Sequence, residues 1–134
     1  MAETIELEIV TPEKQVVRDQ VEEIQIPGRA GYLGVLPGHA PLITELAVGE
    51  ISYRKGGQTT CLAVAWGFAE VLPNKVTILA ETAERAGEID VARAQEALKN
   101  AQARLAEADS EEKVDRELTA ARRAETRIDV ANKG

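Results

Sequence analysis

The sequence predicts an α+β protein in which an N-terminal antiparallel β-sandwich is followed by a C-terminal antiparallel two-helix hairpin. All five prolines and eight of the ten glycines precede residue 87. The stretch after Gly87 is rich in Ala, Glu and Arg, which favour helix, whereas Gly and Pro interrupt it. The apolar residues also change from a period of two to steps of three and four. We therefore predict a sandwich over residues 1–86 and a hairpin over residues 87–134.

The first part of the chain contains short apolar segments that turn residues separate. Ile5, Leu7 and Ile9 alternate with glutamates, which is typical of a half-buried strand. Similar segments occur at 15–17, 22–26, 32–36, 50–54, 59–65, 68–72 and 75–80. Residues 55–58 and 73–74 predict hairpin turns, since Gly56 and Gly57 tolerate positive φ. No helical pattern lies between these segments, so the pattern of short strands and turns implies an antiparallel sandwich or barrel.

The second part predicts two amphipathic helices with alanine-rich seams. Asp90 is the expected N-cap of the first helix, and Asp109 or Ser110 that of the second. Asp109 with Glu112 also resembles a capping box. The apolar residues that form the two seams are Val91, Ala94, Leu98, Ala101, Leu105 and Ala108, then Val114, Leu118, Ala121, Ala124, Ile128 and Ala131.

A hairpin with so many alanines buries little apolar area, so its packing is weak unless it docks on another surface. Two interpretations follow. The hairpin is either a weakly stable appendage or an element that leaves its docking site at small free-energy cost.

The composition argues against several classes of function. The net charge of −7 and the 3% of aromatic residues disfavour nucleic-acid binding. With His39 as the single histidine and Cys61 as the single cysteine, neither a metal cluster nor a catalytic triad is expected. Gly28, Gly31 and Gly34 precede a strand rather than a helix, so they indicate turns and not a phosphate loop. The longest apolar stretch, 61–69, is too short to cross a bilayer, so any membrane association is expected to depend on partners.

Residues 31–42, Gly-Tyr-Leu-Gly-Val-Leu-Pro-Gly-His-Ala-Pro-Leu, closely resemble the epsilon subunit of bacterial F-type ATP synthases. The resemblance continues through 67–71, 76–83 and 89–94 and spans essentially the whole chain in the same order. It implies a non-catalytic rotor subunit in the central stalk, peripheral at the cytoplasmic face of the bacterial inner membrane. The implied partners are the gamma subunit, the membrane c ring and the beta subunits of the catalytic head.

The resemblance also implies interface residues on both parts of the chain. Contact of the sandwich with gamma and the rotor ring is expected from loops at one end of the sandwich, namely Arg29, Gly31, Tyr32, Leu33, Pro37, Gly38 and His39. The hairpin is expected to inhibit ATP hydrolysis by extending along gamma, where basic residues meet acidic segments of beta. The residues that correspond here are Arg116, Arg122, Arg123 and Arg127.

Some bacterial members of this family bind ATP on the folded hairpin, and a related motif, Ile-Asp-Val-Ala-Arg-Ala, occupies 89–94. No cofactor is required, but the resemblance implies ATP as a regulatory ligand. The matching residues are Glu84, Asp90, Arg93, Arg123 and Arg127. Asn100 stands where a further arginine is expected, which weakens the match.

Two other functions stay open at this point. A sandwich-plus-coiled-coil adaptor unrelated to ATP synthase has the same fold pattern and predicts a helix pair that dimerises by itself. An enzyme of unrecognised type is disfavoured, because no paired catalytic groups are present.

Overall fold

The computed structural model describes residues 3–134 and contains eight strands, a 3-10 turn at Ala86–Glu88 and two α-helices. The strands are β1 (Ile5–Val10), β2 (Gln15–Val21), β3 (Glu23–Gly28), β4 (Gly31–Val35), β5 (Leu42–Leu46), β6 (Gly49–Lys55), β7 (Gln58–Val71) and β8 (Lys75–Arg85). The helices are α1 (Val91–Ala106) and α2 (Glu111–Lys133). The predicted order of strands followed by two helices is confirmed.

The strands form two layers that share β7 and β8. The first layer contains β2, β1, the beginning of β8, the end of β7, and β5. The second contains β4, β3, β6, the beginning of β7 and the end of β8. The inward residues of both layers are almost fully buried, and the largest are Ile5, Leu7, Ile9, Ile24, Ile26, Ile51, Leu62 and Ile78. The outer faces of the layers remain available for other contacts.

All strand pairs are antiparallel except β1 with β8, which are parallel. Apolar alternation reports which face of a strand is buried and not its direction, so the parallel pair was not predicted. The prediction also lacked β5, whose outward residues include apolar ones and whose alternation is therefore weak.

The segments 59–65 and 68–72 were predicted as separate strands but form the single bent strand β7. The bend lies at Trp66, whose φ is 52°, and Gly67, whose φ is 126°. A Cβ at Gly67 would overlap the carbonyl oxygen of Leu79 on the paired strand. Only glycine meets both conditions, and the bend carries β7 from one layer to the other.

The predicted cap of α1 and one of the two predicted caps of α2 are observed, whereas the predicted capping box is not. The Asp90 carboxylate accepts a 3.1 Å hydrogen bond from the Arg93 backbone N–H, as expected. Ser110 caps α2 by accepting from the Lys113 N–H at 3.2 Å. The capping box expected from Asp109 and Glu112 is wrong, because Asp109 instead forms an ion pair with the Lys113 side chain.

The helix seam contains small residues and one buried ion pair. Ala94 and Ala101 of α1 and Ala121 and Ala124 of α2 are buried, as predicted. Leu118 was predicted to face the seam but is 46% exposed, and the neighbouring Glu117 is buried instead. Arg104 Nε donates to both carboxylate oxygens of Glu117, at 3.0 and 2.8 Å. The ion pair satisfies the buried carboxylate with a partner on α1, which sequence periodicity cannot anticipate.

The hairpin rests on the sandwich through α2, at a small apolar cluster. Val130 is fully buried there against Ala63 and Ile89, with Ala86, Ala131 and Cys61 at the margin. Among residues 3–134, neither helix has the length and apolarity needed to span a membrane.

Candidate functional site

The outer face of the second layer carries two carboxylates on either side of an alanine. Glu50 of β6 pairs with Ala63 of β7, and Ala63 pairs with Glu84 of β8, so the three residues form one row across the strands. Side chains in such a row point to the same face of a sheet. The row lies under the C-terminal part of α2.

Two basic side chains of α2 bind the two carboxylates. Arg127 Nε lies 2.9 Å from Glu84 Oε1, and its Nη2 donates to Oε2 at 3.1 Å. Lys133 Nζ donates to both oxygens of Glu50, at 3.0 and 2.8 Å. The hydrogen bond to Glu50 raises the pKa of Lys133 above its ordinary value. Each base therefore has a single acidic partner on the sandwich.

Trp66 provides a third contact for α2. The guanidinium carbon of Arg123 lies 5.1 Å from the centre of the indole ring, within the range of a cation–π interaction. The bend in β7 exposes the indole, which is 38% accessible and lines a groove of about 650 Å³ along α2. A bulky residue with positive φ is uncommon, so the bend imposes local strain on this tryptophan.

Cys61 lies at the edge of this contact rather than inside the sandwich core. Its thiol is half-buried next to the apolar cluster of Val130. Burial raises its pKa, and the neighbouring carboxylate of Glu50 acts in the same direction. The apolar run 61–69 favours a packed core thiol at Cys61, and the structure corrects this expectation to a thiol at the boundary between sandwich and hairpin.

A cleft of about 450 Å³ gathers four of the five residues expected to bind ATP. Glu84, Arg93, Arg123 and Arg127 all line it, whereas Asp90 is not among the lining residues and caps α1. The cleft also contains Lys14, together with the acidic residues Glu13, Glu81 and Glu88. Four basic and four acidic side chains thus balance each other, and two of the bases already have partners, in the Arg127–Glu84 and Lys14–Glu88 pairs.

The outer face of the first layer presents uncovered apolar side chains, which we name the apolar band: Val10, Ile43, Phe68 and Leu79. Each comes from one of four adjacent strands, β1, β5, β7 and β8. Phe68 pairs directly with Leu79, and Leu79 with the half-buried Val10, whereas the strand partner of Ile43 is Glu70. Ile43 is 70% exposed, Phe68 54% and Leu79 55%. Contiguous exposed apolar residues on a small domain mark a docking surface.

The residues expected at the rotor ring and gamma fall into two separate groups. Arg29, Gly31, Tyr32 and Leu33 lie at the beginning of β4, whereas Pro37, Gly38 and His39 follow its end. The chain from Leu33 to Pro37 spans at most about 13 Å as extended strand, so the two groups lie at different positions along and beyond β4. Their expected contact with gamma and the rotor ring stays a prediction. Alternation predicted β4 but not the path of the loop that follows it.

Each of the two groups is held by specific contacts. Arg29 forms a 2.7 Å ion pair with Glu45, and the hydroxyl of Tyr32 accepts from the Glu50 backbone N–H at 3.0 Å. At the other end, the Gly38 N–H donates to the carbonyl of Pro73 at 2.8 Å. The side chain of Tyr32 is nevertheless 62% exposed. Both groups are therefore ordered surfaces.

The arginines expected to meet the beta subunits differ in their accessibility. Arg122 is exposed and has no ion-pair partner within residues 3–134, and Arg116 makes only a 3.8 Å contact with Glu112. Arg123 and Arg127 are engaged with Trp66 and Glu84. The sequence reasoning missed the partners of Arg123 and Arg127. It also missed the apolar band, although the outward positions of Phe68 and Leu79 follow from alternation.

These features define a sandwich-and-hairpin protein with one sandwich face covered by its own helix and the apolar band exposed on the opposite face. Family models match both parts, one described as the ATP synthase delta/epsilon chain β-sandwich domain over residues 4–86, the other as the long α-helix domain over residues 88–132. The chain belongs to the ATP synthase delta/epsilon chain family.

Relatives with high identity over most of the chain carry the name ATP synthase epsilon chain. That of Koribacter versatilis is 71% identical over 105 residues, covering 78% of this chain and 74% of the relative. Those of Syntrophobacter fumaroxidans and Geobacter sulfurreducens are 50% and 48% identical, and each match covers 99% of this chain. The two matches cover 99% and 97% of those relatives.

Two solved structures share the fold. A chain in the Euglena gracilis mitochondrial ATP synthase, in an assembly of OSCP, F1 and c ring, matches with a TM-score of 0.82 and 26% identity, over 96% of this chain and 81% of that one. A chain in the central stalk and c ring of the Tetrahymena thermophila enzyme matches with a TM-score of 0.54 and 15% identity, over 96% and 94%. The second likeness concerns the fold alone.

Proposed function

We propose that this chain is a non-catalytic central-stalk subunit that links gamma to the membrane c ring and inhibits ATP hydrolysis through its C-terminal helices. In this role it is peripheral, on the cytoplasmic face of the bacterial inner membrane. The apolar band is the gamma-binding surface. The two groups of residues at the ends of β4 act at the margin of the assembly, where Tyr32 provides an amphipathic anchor for the ring.

The apolar band is the observation that supports this proposal most directly. α2 covers one outer face of the sandwich, whereas Ile43, Phe68 and Leu79 are left exposed on the other. Exposed apolar area of this kind is stabilised when a partner covers it. A rotor subunit needs such a permanent contact, because it must turn with its partner.

Binding to gamma tests the assignment of the apolar band. Leu79→Glu places a charge inside the band and is expected to weaken the affinity for purified gamma at least tenfold, since an unpaired charge is costly in an apolar contact. Gln58→Glu is the control that also adds a charge, because Gln58 is exposed at the turn between β6 and β7, outside both the apolar band and the hairpin. Equal affinity of the two variants in a titration calorimeter would refute the assignment.

The inhibitory role is tested by ATP hydrolysis of the reconstituted catalytic head with gamma. The full chain is expected to lower the rate. Arg122→Gln is expected to weaken this inhibition, because Arg122 is exposed and has no ion-pair partner among the described residues 3–134, so it can meet a carboxylate. A rate that the full chain leaves unchanged would instead favour the adaptor interpretation.

ATP as a regulatory ligand rests on the cleft that gathers Glu84, Arg93, Arg123 and Arg127. Arginine side chains bind phosphate oxygens with paired hydrogen bonds. A triphosphate must first displace Glu84 from Arg127 and meets four carboxylates, so weak binding is expected. Calorimetric titration with millimolar ATP tests this proposal, and the absence of a heat of binding would refute it.

A further inference from the structure

We propose that the chain carries its own latch for the hairpin. The latch consists of the row Glu50–Ala63–Glu84 on the sandwich and the α2 face of Arg127, Val130 and Lys133. It holds α2 down without a nucleotide, and it occupies basic groups that α2 needs to bind an acidic partner. This second part rests on the inhibitory function proposed above.

The spacing of the two sides of the latch matches. Arg127 and Lys133 are six residues apart, which is about 9 Å along a helix. Glu50 and Glu84 lie two strand spacings apart, which is about 9.5 Å across a sheet. Val130 is the midpoint of the helix side and packs on Ala63, the midpoint of the sheet side. As α2 crosses β8, β7 and β6, Arg127 therefore contacts Glu84, Val130 contacts Ala63 and Lys133 contacts Glu50.

The centre of the latch is protected from water. Val130 is fully buried, and the side chains of Arg127 and Glu84 are only 24% and 30% exposed. Ion pairs at such positions are screened less by salt than fully exposed ones. The side chain of Lys133 is 53% exposed, so its ion pair with Glu50 orients α2 on the sandwich more than it stabilises the contact. Arg127 with Glu84 is therefore the main contact, and the cation–π contact of Arg123 with Trp66 extends it.

The latch and an acidic partner compete for the same groups. Arg127 has its nitrogens against Glu84, and Arg123 lies over Trp66. The Arg127 side chain is only 24% exposed in this contact, so most of its hydrogen-bonding edge is not accessible to a carboxylate of another protein. While the hairpin is folded, Glu84 and Glu50 of the sandwich therefore bind the basic side chains that would otherwise bind carboxylates of the partner.

Substitutions on opposite sides of the latch separate its two functions. Glu84→Gln with Glu50→Gln breaks the latch but keeps the α2 bases, whereas Arg127→Gln with Lys133→Gln breaks it and removes them. In the isolated full chain without nucleotide, both double variants are expected to speed amide exchange of α1 and α2 about tenfold, since charge-assisted hydrogen bonds are lost. The emission of Trp66, the single tryptophan, is expected to change in both. Arg122→Gln, on the exposed face, is the control and leaves both signals unchanged.

Hydrolysis by the reconstituted head then tests the competition. The Glu84→Gln, Glu50→Gln variant is expected to inhibit more strongly than the unmodified chain, and the Arg127→Gln, Lys133→Gln variant less strongly. Unchanged exchange in both variants would overturn the latch. An equal gain of inhibition in both variants would refute the claim that the latch and the acidic partner compete for the same basic side chains. If the unmodified chain has no effect on hydrolysis, the inhibitory function fails, and the exchange result alone decides the latch.

Discussion

At the scale of single residues, Trp66 and Gly67 concentrate the unusual geometry of the chain. Both have positive φ, and together they bend β7 between the two layers. The same bend exposes the indole to Arg123. A local backbone conformation thus connects the architecture of the sandwich with the docking of the hairpin.

Gly67→Ala is expected to destabilise the protein by about 2–4 kcal/mol, because the new methyl group overlaps the Leu79 carbonyl and the backbone requires positive φ. Urea unfolding followed by circular dichroism measures the change. Gly87→Ala is the control, since no atom lies within 4 Å of its would-be Cβ, and its effect is expected to stay within about 0.5 kcal/mol. Similar losses in the two variants would contradict this account of the bend.

Some properties of single residues were predictable from the sequence and others were not. Asp90 as a cap and Gly56-Gly57 as a turn depend only on local chemistry, and both are observed, the two glycines with φ of 57° and 80°. The strain at Trp66 and the position of Cys61 depend on strands that are distant in sequence. Alternation indicates which side chains are buried and carries no information about such distant neighbours.

At the scale of elements, a partly buried ion pair accompanies the rotation of α2 in the hairpin. Helical periodicity placed Leu118 in the seam, but the structure has Glu117 there with Arg104 as its partner. The hydrophobic pattern of α2 is weak because its seam is mostly alanine. The side of α2 that faces α1 therefore carries Glu117, paired with Arg104, and not Leu118.

Removing one partner of this pair is expected to cost more than removing the other. Arg104→Met leaves the buried carboxylate of Glu117 unsatisfied and is expected to cost about 1–3 kcal/mol. Glu117→Met leaves Arg104, whose side chain is 59% exposed, free to bind water, and is expected to cost less than about 1 kcal/mol. Amide exchange of α1 and α2 measures both changes. The opposite order would show that the packing of Arg104, and not its charge, matters.

At the scale of the whole molecule, the two parts differ in how much apolar area they bury. The sandwich core contains large aliphatic residues such as Ile24 and Leu62, whereas the contact of α2 with the sandwich centres on Val130, Ile89 and Ala63. Apolar burial is the main favourable term in folding, so the parts are expected to differ in local stability.

Hydrogen exchange is expected to show the hairpin opening as a unit while the sandwich stays closed. Amides of α1 and α2 should exchange about 10- to 100-fold faster than those of β7 and β8, since local opening exposes little apolar area. Exchange followed by mass spectrometry of the helical and strand peptides measures the ratio. Equal protection of both parts would mean that the chain unfolds only globally, and the hairpin would then be no separate element.

The parallel pairing of β1 with β8 also affects the order in which the protein forms during synthesis. β1 leaves the ribosome first, but its partner strand ends at residue 85, near the end of the sandwich. Until β8 is made, β1 can pair only with β2 and keeps one edge open. Long-range pairing of this kind slows folding. The helices follow β8 directly, so the sandwich closes only shortly before the hairpin emerges. A nascent chain therefore gains its hairpin almost as soon as it has a surface on which the hairpin docks.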